Sequence, residues 1–439
     1  MRVSLAGPSS TLYENRDQRE DPSENAPSVR SESQRDRDRI LYSSAFQRLG
    51  GITQVSSPEA GHSFHTRLTH SLKVGQVARR LAERIVSHPP TGAAGELAGF
   101  LNVDAAEAAG LAHDLGHPPF GHLAEVELND RAGGFGGFEG NAQTFRIVTR
   151  LALRDSTQAG LNLTRRTLNG ILKYPCIWDP NDEQKSKKWG AYPEDGKAFA
   201  WARDGYGAEQ RTLEAQLMDW SDDVTYAVHD TDDFFRAGLV PLDRLCTNPR
   251  ELDAFCEFVS KRHSKEKDRP AAAAHRLFDN GIFRIQDRYQ GTTEDRVLLR
   301  IQGSELITRY VNDVSLTNGK GAAFFEVDDE LADEVMVLKD LTWYYVIENP
   351  ALAILQRGQR RIIQELFDGY WEAIENNELR LFPAAYRERL ERQAKTKAAK
   401  LRAIVDLIAG LSEPAAEEIF RRMGGMVSGS VLHPAGRLS

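Results

Sequence analysis

The chain has no long hydrophobic run and very little cysteine. Its 439 residues contain no stretch of about eighteen consecutive apolar residues, so the sequence predicts no membrane-spanning helix. The first residues, MRVSLAGPSSTLYENRDQRED, contain no apolar segment of the kind found in secretory signal peptides. Three cysteines, Cys176, Cys246 and Cys256, are too few and too scattered for a disulfide scaffold or a zinc ribbon. These absences predict a cytoplasmic protein with no membrane partner.

The sequence also has no excess of positive charge. Lysine and arginine number 56 against 64 aspartates and glutamates, which gives a net charge of −8. This balance argues against general nucleic-acid binding, which needs many unopposed cations at the surface. Single-stranded DNA is a conceivable partner that no feature of the sequence supports. A small anionic substrate is still allowed, because it needs only a local basic pocket.

The patterns that are present favour helices. Hydrophobic residues make up 41% of the chain, enough for a large core. Apolar residues recur every three or four positions in HSLKVGQVARRLAERI, which is helical spacing. Residues 104–115 predict a second helix with Asp104 as its N-cap, and residues 210–236 a third. The stretch 321–328 is the one candidate strand. The fold class is therefore mainly α with at most a small β element, preceded by a flexible, polar N-terminal arm over residues 1–35.

Histidine is distributed very unevenly. Seven of the eleven histidines lie between His62 and His122. The densest part reads HDLGHPPFGH and contains His113, Asp114, His117 and His122. Imidazole and carboxylate together suit Mn, Fe, Ni, Co, Zn or Mg. The structural alternative is a histidine–aspartate hydrogen bond at the end of an alanine-rich helix, but three histidines and an aspartate in ten residues favour a metal site.

Two further segments carry polar residues at positions that suit a site. His70 opens an amphipathic helix, and Arg67 precedes it by three residues, where its guanidinium could meet a phosphate. A polar helix cap is an equally good interpretation. Asp222, Tyr226 and Asp230 are spaced by four on a helix that also carries apolar residues. Buried acids need a cation or a partner, so this spacing favours a site over a solvated stripe.

The flanks of these motifs resemble one family of proteins along most of the chain. The similar segments are QRDRDRILYSSAFQRLGGITQV, HTRLTHSLKVGQVAR, AGLAHDLGHPPFGHLAE, FEGNAQTFRIV, LNLTRRTLNGILKYP, KKWGAYPEDGKAF, EAQLMDWSDDVTYAVHD and RAIVDLIAGLSE. The order H…HD…D resembles the HD-domain superfamily, and more narrowly the bacterial deoxyguanosine triphosphate triphosphohydrolase-like family. The resemblance implies an HD-domain helical core over residues 36–250, with a mainly helical C-terminal region, residues 251–439, packed on it.

Matched residue by residue, the resemblance implies roles for particular side chains. The implied ligands of a divalent metal ion are His70, His113, Asp114 and Asp222. The implied catalytic groups are His117, His122 and Glu125. The implied substrate contacts are Arg67 for phosphate, Tyr226 and Asp230 for the deoxyribose, and Gln54 and Val55 for sugar and base. Asn141 and Gln143 are either polar groups of the active site or members of a buried amide network.

The resemblance also implies a reaction. It predicts metal-dependent hydrolysis of a deoxynucleoside triphosphate, with dGTP as one candidate, to the deoxynucleoside and inorganic triphosphate. It implies a homo-oligomer, a hexamer or a tetramer. The alternatives are an HD phosphohydrolase for a monophosphate, cyclic or alarmone nucleotide, and a nucleotide-binding regulator with an idle site. After Gly410 many relatives continue with a Met-Thr-Asp-Arg-type turn, whereas this chain reads LSEPAAEEI, so no nucleotide contact is assigned there.

Overall fold

The computed structural model describes residues 15–21, 29–54, 65–154, 159–266, 268–319, 322–347 and 350–426. Most of these residues are helical, and the strands among them form one two-stranded sheet. This confirms the prediction of a mainly α fold with a small β element. Within the described ranges, every helix is too short or too polar to cross a bilayer.

The first half of the chain carries short helices around three longer ones. Its helices are α1 (Glu32–Leu41), α2 (Ser44–Arg48), α3 (Arg67–Ser87), α4 (Ala93–Ala98), α5 (Val103–Ala112), α6 (His122–Ala132), α7 (Gly140–Arg146), α8 (Arg165–Gly170), α9 (Gly196–Arg203) and α10 (Leu213–Arg236). Helices α3, α5 and α10 pack against one another. Three-residue 3-10 turns follow α2 and α6, and a π-helical turn follows α7.

The second half continues with helices and the small sheet. Its elements are α11 (Leu242–Thr247), α12 (Pro249–Arg262), α13 (Arg269–Phe278), α14 (Thr293–Asn312), β1 (Val314–Gly319), β2 (Ala322–Val327), α15 (Asp329–Leu341), α16 (Pro350–Glu375), α17 (Ala384–Arg392), α18 (Lys397–Ala409) and α19 (Glu413–Met423). The two strands pair antiparallel, with Val314 opposite Val327. The predicted strand over 321–328 corresponds to β2, and its partner β1 was missed.

The apolar stripe predicted for α3 is buried. Thr66 caps its N-terminus by accepting a hydrogen bond from the Thr69 amide, and Val74 and Leu81 are fully buried. The predicted cap of α5 was wrong by two residues. The Asn102 side chain accepts the hydrogen bond from the Ala105 amide, because Asp104 already lies in the first turn and pairs with Arg79 instead.

Part of the predicted flexible arm is held in place. The Arg19 guanidinium is buried and lies 2.6 Å from Asp36 and 2.7 Å from Glu32, both in α1. It also donates to the carbonyl of Asn162, before α8. These contacts favour an anchored segment at residues 15–21, because a buried guanidinium with carboxylate partners cannot leave without exposing unpaired charges. Residues 32–35 belong to α1, and the flexible arm over residues 1–35 otherwise stays a prediction. The stretches 1–14 and 22–28 lie outside the described residues.

The C-terminal helices pack against the helix that follows the histidine-rich turn. Ala124 and Leu128 of α6 share one buried apolar cluster with residues of α16 and α18, among them Leu366 and Ile404. A second cluster joins the later part of α10 to α11–α15. The position of α6 is therefore fixed from the C-terminal side of the chain. The domain boundary near residue 250 stays a prediction.

Candidate active site

Four predicted ligands converge from three helices. His70 lies in the first turn of α3, His113 and Asp114 follow the last turn of α5, and Asp222 lies in the middle of α10. One ligand atom from each of His70, His113 and Asp114 lies within 4.8 Å of the other two. Asp222 is outside that group, yet its Oδ1 lies 3.0 Å from His70 Nε2 and 3.5 Å from His113 Nε2. The structure therefore brings all four side chains together.

Two glycines allow α3 and α5 to approach closely enough for this. A Cβ on Gly110 would lie 2.8 Å from the Cα of Gly75, and a Cβ on Gly75 would lie 2.9 Å from Leu111 Cγ. Real side chains do not tolerate such distances, so the crossing requires glycine at these points. The sequence AEAAGLAHD thus brings the end of α5, with His113, against the start of α3.

The orientation of His113 suits a metal ligand. Its Nδ1 lies 2.7 Å from the Gly110 carbonyl oxygen, which can only accept, so Nδ1 carries the proton. In the neutral ring Nε2 is then a lone pair, and it is buried without a hydrogen-bond partner. Backbone carbonyls commonly hold the outer nitrogen of metal-bound histidines in this way. A divalent cation fits this donor set, since it would satisfy the lone pair and the facing carboxylates together.

The charges around His113 also favour a cation at this place. Burial lowers the pKa of its imidazole, but the carboxylates of Asp114 and Asp222 outweigh burial and raise that pKa to about 9. The pKa of Asp222 lies well below its usual value because His113 and His70 outweigh the opposing effect of burial. The two carboxylates thus stay ionised and attract positive charge, which a proton or a metal ion can supply.

Arg67 completes this side of the site. Its Nη1 donates to Asp114 Oδ2 at 2.7 Å, and both side chains are buried. Burial opposes ionisation of Asp114, but Arg67 and His113 hold its pKa well below the usual value. The guanidinium therefore lies directly beside a proposed metal ligand, where an anionic substrate would meet it.

The turn after Asp114 presents the two predicted catalytic histidines. Phe120 and Gly121 both have positive φ, 66° and 57°, and α6 then begins at His122. His122 Nδ1 lies 2.5 Å from Glu125 Oε2, and His117 Nε2 lies 3.9 Å from Glu125 Oε1. His117 is the more buried of the two, with its Nδ1 3.0 Å from Asp114 Oδ1.

Glu125 holds its negative charge and shares it with both rings. Burial opposes its ionisation, but His117 and His122 outweigh burial and lower the pKa of Glu125 to about 2. The Gly140 amide also donates to its Oε1 at 3.0 Å. In return the hydrogen bond to Glu125 raises the pKa of His122. An accessible imidazole whose protonated form is favoured by a neighbouring carboxylate is suited to donating a proton.

A cavity of about 600 Å³ joins these groups. Its wall includes His113, Asp114, His117, His122 and Asp222. Four cationic side chains also line it: Arg67, Lys173, Lys188 and Lys339. Apolar side chains from the segment between α15 and α16 and from the start of α16 close another part of the wall: Trp343, Ile347, Leu352 and Leu355. The size is within the range of small-molecule sites, and the cations suit an anion.

Comparison with known proteins identifies the architecture. The HD domain family model matches residues 67–227, and the phosphohydrolase-associated domain matches residues 325–422. A deoxyguanosinetriphosphate triphosphohydrolase-like protein of Corynebacterium efficiens is 34% identical, over 91% of this chain and 92% of its own length. A protein of the same description from Streptomyces coelicolor is 35% identical, over 90% and 93%. The chain belongs to the deoxyguanosinetriphosphate triphosphohydrolase-like family. It is thus an HD-domain phosphohydrolase.

The two residues predicted to contact the deoxyribose, Tyr226 and Asp230, lie in different places. Tyr226 lines the cavity, whereas Asp230, one turn further along α10, is buried behind it with its Oδ2 unpartnered. Burial, together with Asp233, raises the pKa of Asp230 well above the usual value. The carboxyl of Asp230 can accept a hydrogen bond in either protonation state and can also donate one when it is protonated.

The remaining predicted contacts have different outcomes. Gln54 lines the cavity, and its buried Oε1 accepts no hydrogen bond from the described residues, as suits a ligand contact. Asn141 also lines it, while its Nδ2 donates to Glu139. Gln143 is not among the lining residues and donates instead to Asp406, so the amide-network alternative holds for it. Val55 lies outside the described residues.

Sequence reasoning assigned no role to three of the four cations. Lys173 lies 2.5 Å from Asp219, Lys188 lies 3.0 Å from Glu139, and Lys339 lies 2.7 Å from Asp223. Two of them stand in segments that resemble the family, LNGILKYP and KKWGAYPEDGK, and that signal could have found them. Nothing in the local sequence of Lys339 distinguishes it, because it joins the cavity only through the packing of α15 on α10.

Proposed function

We propose that this HD-domain protein is a metal-dependent deoxynucleoside triphosphate triphosphohydrolase, releasing a deoxynucleoside and inorganic triphosphate. The observation that carries the proposal is one cavity lined by three of the four proposed metal ligands, by four cations and by His122, whose ring is paired with Glu125. The names of the relatives point to the same reaction class. The order in which the groups act follows from their chemistry.

The metal would be held by His70, His113, Asp114 and Asp222. Two imidazoles and two carboxylates suit Mn, Fe, Co, Ni or Zn, and Mg is accepted by the carboxylates. A bound divalent ion would lower the pKa of a water ligand toward neutrality and so supply a hydroxide-like nucleophile. The role of the chain is to fix these side chains, chiefly through the Gly110 carbonyl that orients His113.

The cations would bind the triphosphate. A nucleoside triphosphate carries about four negative charges, which the cationic side chains can partly neutralise. Arg67 sits closest to the proposed metal ligands, so it meets the α-phosphate, where the bond breaks. Lys173, Lys188 and Lys339 line the cavity and are each held by a carboxylate, Asp219, Glu139 and Asp223 respectively. Anchoring the outer phosphates positions the α-phosphorus for in-line attack.

The leaving 5′-oxygen would take its proton from His122. The hydrogen bond to Glu125 raises the pKa of His122, which favours the protonated ring, and 79% of its side chain is exposed, so a substrate can reach it. His117 lies nearer the ligands, 3.0 Å from Asp114 Oδ1, and would donate to an α-phosphate oxygen. Tyr226 lines the cavity and would meet the sugar, where close packing at the 2′ position would disfavour a ribose. Asp230 lies buried behind this wall and would act on the sugar only through it.

A direct product assay tests the proposal. Purified protein is incubated with each dNTP and NTP in Mn²⁺ or Mg²⁺, and triphosphate, pyrophosphate and orthophosphate are separated and quantified. We expect inorganic triphosphate and deoxynucleoside in equal amounts, with ribonucleotides poorer substrates. Orthophosphate from other nucleotides would instead identify a different HD phosphohydrolase, and metal-dependent nucleotide binding without turnover would identify a regulator with an idle site.

A further inference from the structure

A single carboxylate near the C-terminus contacts two parts of the site that are far apart in sequence. Glu413, the first residue of α19, is buried, with 5% of its surface exposed. Its Oε1 accepts from the Thr53 amide at 3.0 Å, from the Thr53 hydroxyl at 2.8 Å and from the Phe120 amide at 3.2 Å. Burial makes each of these hydrogen bonds costly to lose, because water cannot replace the missing partner.

Both contacted segments carry site residues. Thr53 precedes Gln54, which lines the cavity, and it pairs through a β-bridge with Thr66, next to Arg67. Phe120 lies in the turn between His117 and His122 and has a φ of 66°, which a residue with a side chain adopts only when its surroundings hold it. Glu413 is therefore bonded at once to the substrate side and to the proton-donor side of the cavity.

Arg48 makes a second connection between the C-terminal region and the turn that presents His117 and His122. Its Nη1 donates to the Leu411 carbonyl at 3.1 Å, and its Nη2 donates to the carbonyls of Leu115 and His117 at 2.7 and 3.0 Å. Gly51 packs so closely on Ser412 that a Cβ there would lie 2.8 Å from Ser412 Cβ. Arg48 and Glu413, with the atoms that they bond, form what we call the C-terminal clamp.

We propose that Glu413 is a positioning residue. Through it, the phosphohydrolase-associated region sets the distance between the segment that contains Thr53 and Gln54 and the turn that presents His117 and His122. The proposal rests on the proposed function for its kinetic consequences but not for its structural ones. Glu413 itself does not line the cavity, so it acts through Thr53 and Phe120. The segment LSEP, where the sequence departs from many relatives, thereby gains a role.

Kinetics of a variant series test the proposal. Displacing a catalytic group by about 1 Å costs on the order of 100-fold in rate, so Glu413→Ala should lower kcat/KM about 100-fold, with kcat reduced and KM raised. Glu413→Gln keeps an acceptor oxygen of the same reach and should stay within about tenfold of the wild type. Glu417→Ala is the matched control, because Glu417 lies on the same helix, exposed and paired only with Arg421 among the contacts described.

A double-mutant cycle tests whether Glu413 acts on the substrate side of the cavity through Thr53. Thr53→Ala removes one hydrogen bond on the substrate side and should raise KM about fivefold with little change in kcat. In the Thr53→Ala, Glu413→Ala double variant KM should be no higher than in Glu413→Ala alone, because both changes break the same connection. Full additivity of the two effects on KM would overturn the proposed route through Thr53.

Hydrogen exchange gives a readout that does not depend on the reaction. In metal-loaded Glu413→Ala, peptides covering 49–54 and 117–122 should exchange faster than in the wild type, while the metal content stays the same. Unchanged exchange in both peptides, or faster exchange with wild-type kcat and KM, would overturn the proposal. If the wild type releases no triphosphate, the proposed function fails, and the exchange experiment still decides whether Glu413 holds the two segments.

Discussion

Helices α3 and α10 carry two clusters of histidine and aspartate, and the two clusters differ in what occupies their centre. The first contains His70 and Asp222, completed by His113 and Asp114 from the end of α5. We call it the ligand cluster. The second, which we call the lysine cluster, lies about two turns further along α10. It consists of His65, Lys73, His229 and Asp233.

In the lysine cluster an ammonium group occupies the position between the imidazoles. Lys73 Nζ lies 2.5 Å from His65 Nε2 and 3.1 Å from His229 Nδ1, and His65 Nδ1 lies 2.5 Å from Asp233. Burial, followed by Lys73, lowers the pKa of His229 to about 2, so that ring is neutral and accepts from the lysine. The lone pairs are therefore satisfied within the chain, and a metal would have to displace a cation already present.

In the ligand cluster His113 Nε2 faces two carboxylates and not an ammonium group: it lies 3.3 Å from Asp114 Oδ1 and 3.5 Å from Asp222 Oδ1. It is buried and makes no hydrogen bond to another described residue. The comparison teaches that a count of nearby histidines and aspartates does not identify a metal site. What identifies it is an oriented, unsatisfied donor set, since burying such groups is costly until a cation satisfies them.

Removing Asp222 should have the largest effect, and it tests the difference between the ligand cluster and the lysine cluster most directly. Asp222→Ala should stay folded but lose bound metal and at least about 100-fold in activity, more than the usual loss from an outer-shell change. Metal content by elemental analysis and triphosphate release measure the two effects. Asp233→Ala, the equivalent change in the lysine cluster, should keep stoichiometric metal. Stoichiometric metal in Asp222→Ala would contradict the assignment of Asp222 as a ligand.

Substitution of His122 should separate metal binding from proton donation. His122→Ala should retain metal, because this ring contacts Glu125 rather than the ligand cluster, yet lose on the order of 100- to 10,000-fold in kcat. His117→Ala should also retain metal, with a smaller loss. Near-wild-type rates in both variants would remove these histidines from the reaction.

From the residues alone, His113 and Asp114 were the strongest candidates for the ligand cluster, and the resemblance to the family added His70 and Asp222; their role as ligands stays a prediction. His113 and Asp114 stand in a short, dense motif, and the helical spacing around His70 and Asp222 already placed each on a packed helix. The mainly α fold followed from the same periodicity. Lys339 gave no such signal, because it reaches the site only through tertiary packing of a distant helix. Glu413 ends the resembling segment RAIVDLIAGLSE, but its contact with Phe120 arises only from tertiary packing. The polar composition of residues 15–21 favours a flexible arm and gives no sign of the buried ion pairs of Arg19.

Changing Glu125 should have a moderate effect, seen in the pH profile. Glu125 raises the pKa of His122 in the folded protein, so the protonated donor is fully present at low pH and is lost as the pH rises through that raised pKa. In Glu125→Gln the imidazole should titrate nearer its unperturbed value of about 6.5, so activity should decline at a lower pH than in the wild type. An unshifted descending limb would show that another group donates the proton.

Replacing Lys73 should have the smallest effect on activity and tests the lysine cluster itself. Lys73→Met removes the ammonium between His65 and His229 and leaves two imidazole nitrogens without a donor. We expect a loss of about 1–3 kcal/mol in the free energy of unfolding, measured by denaturant titration. Metal content and kcat should change little, because the ligand cluster has its own donors and is contacted from α5. If Lys73→Met instead lost the metal, the two clusters would be coupled. The presence of Lys73 between the imidazoles would then no longer explain why only the ligand cluster is proposed to bind a metal.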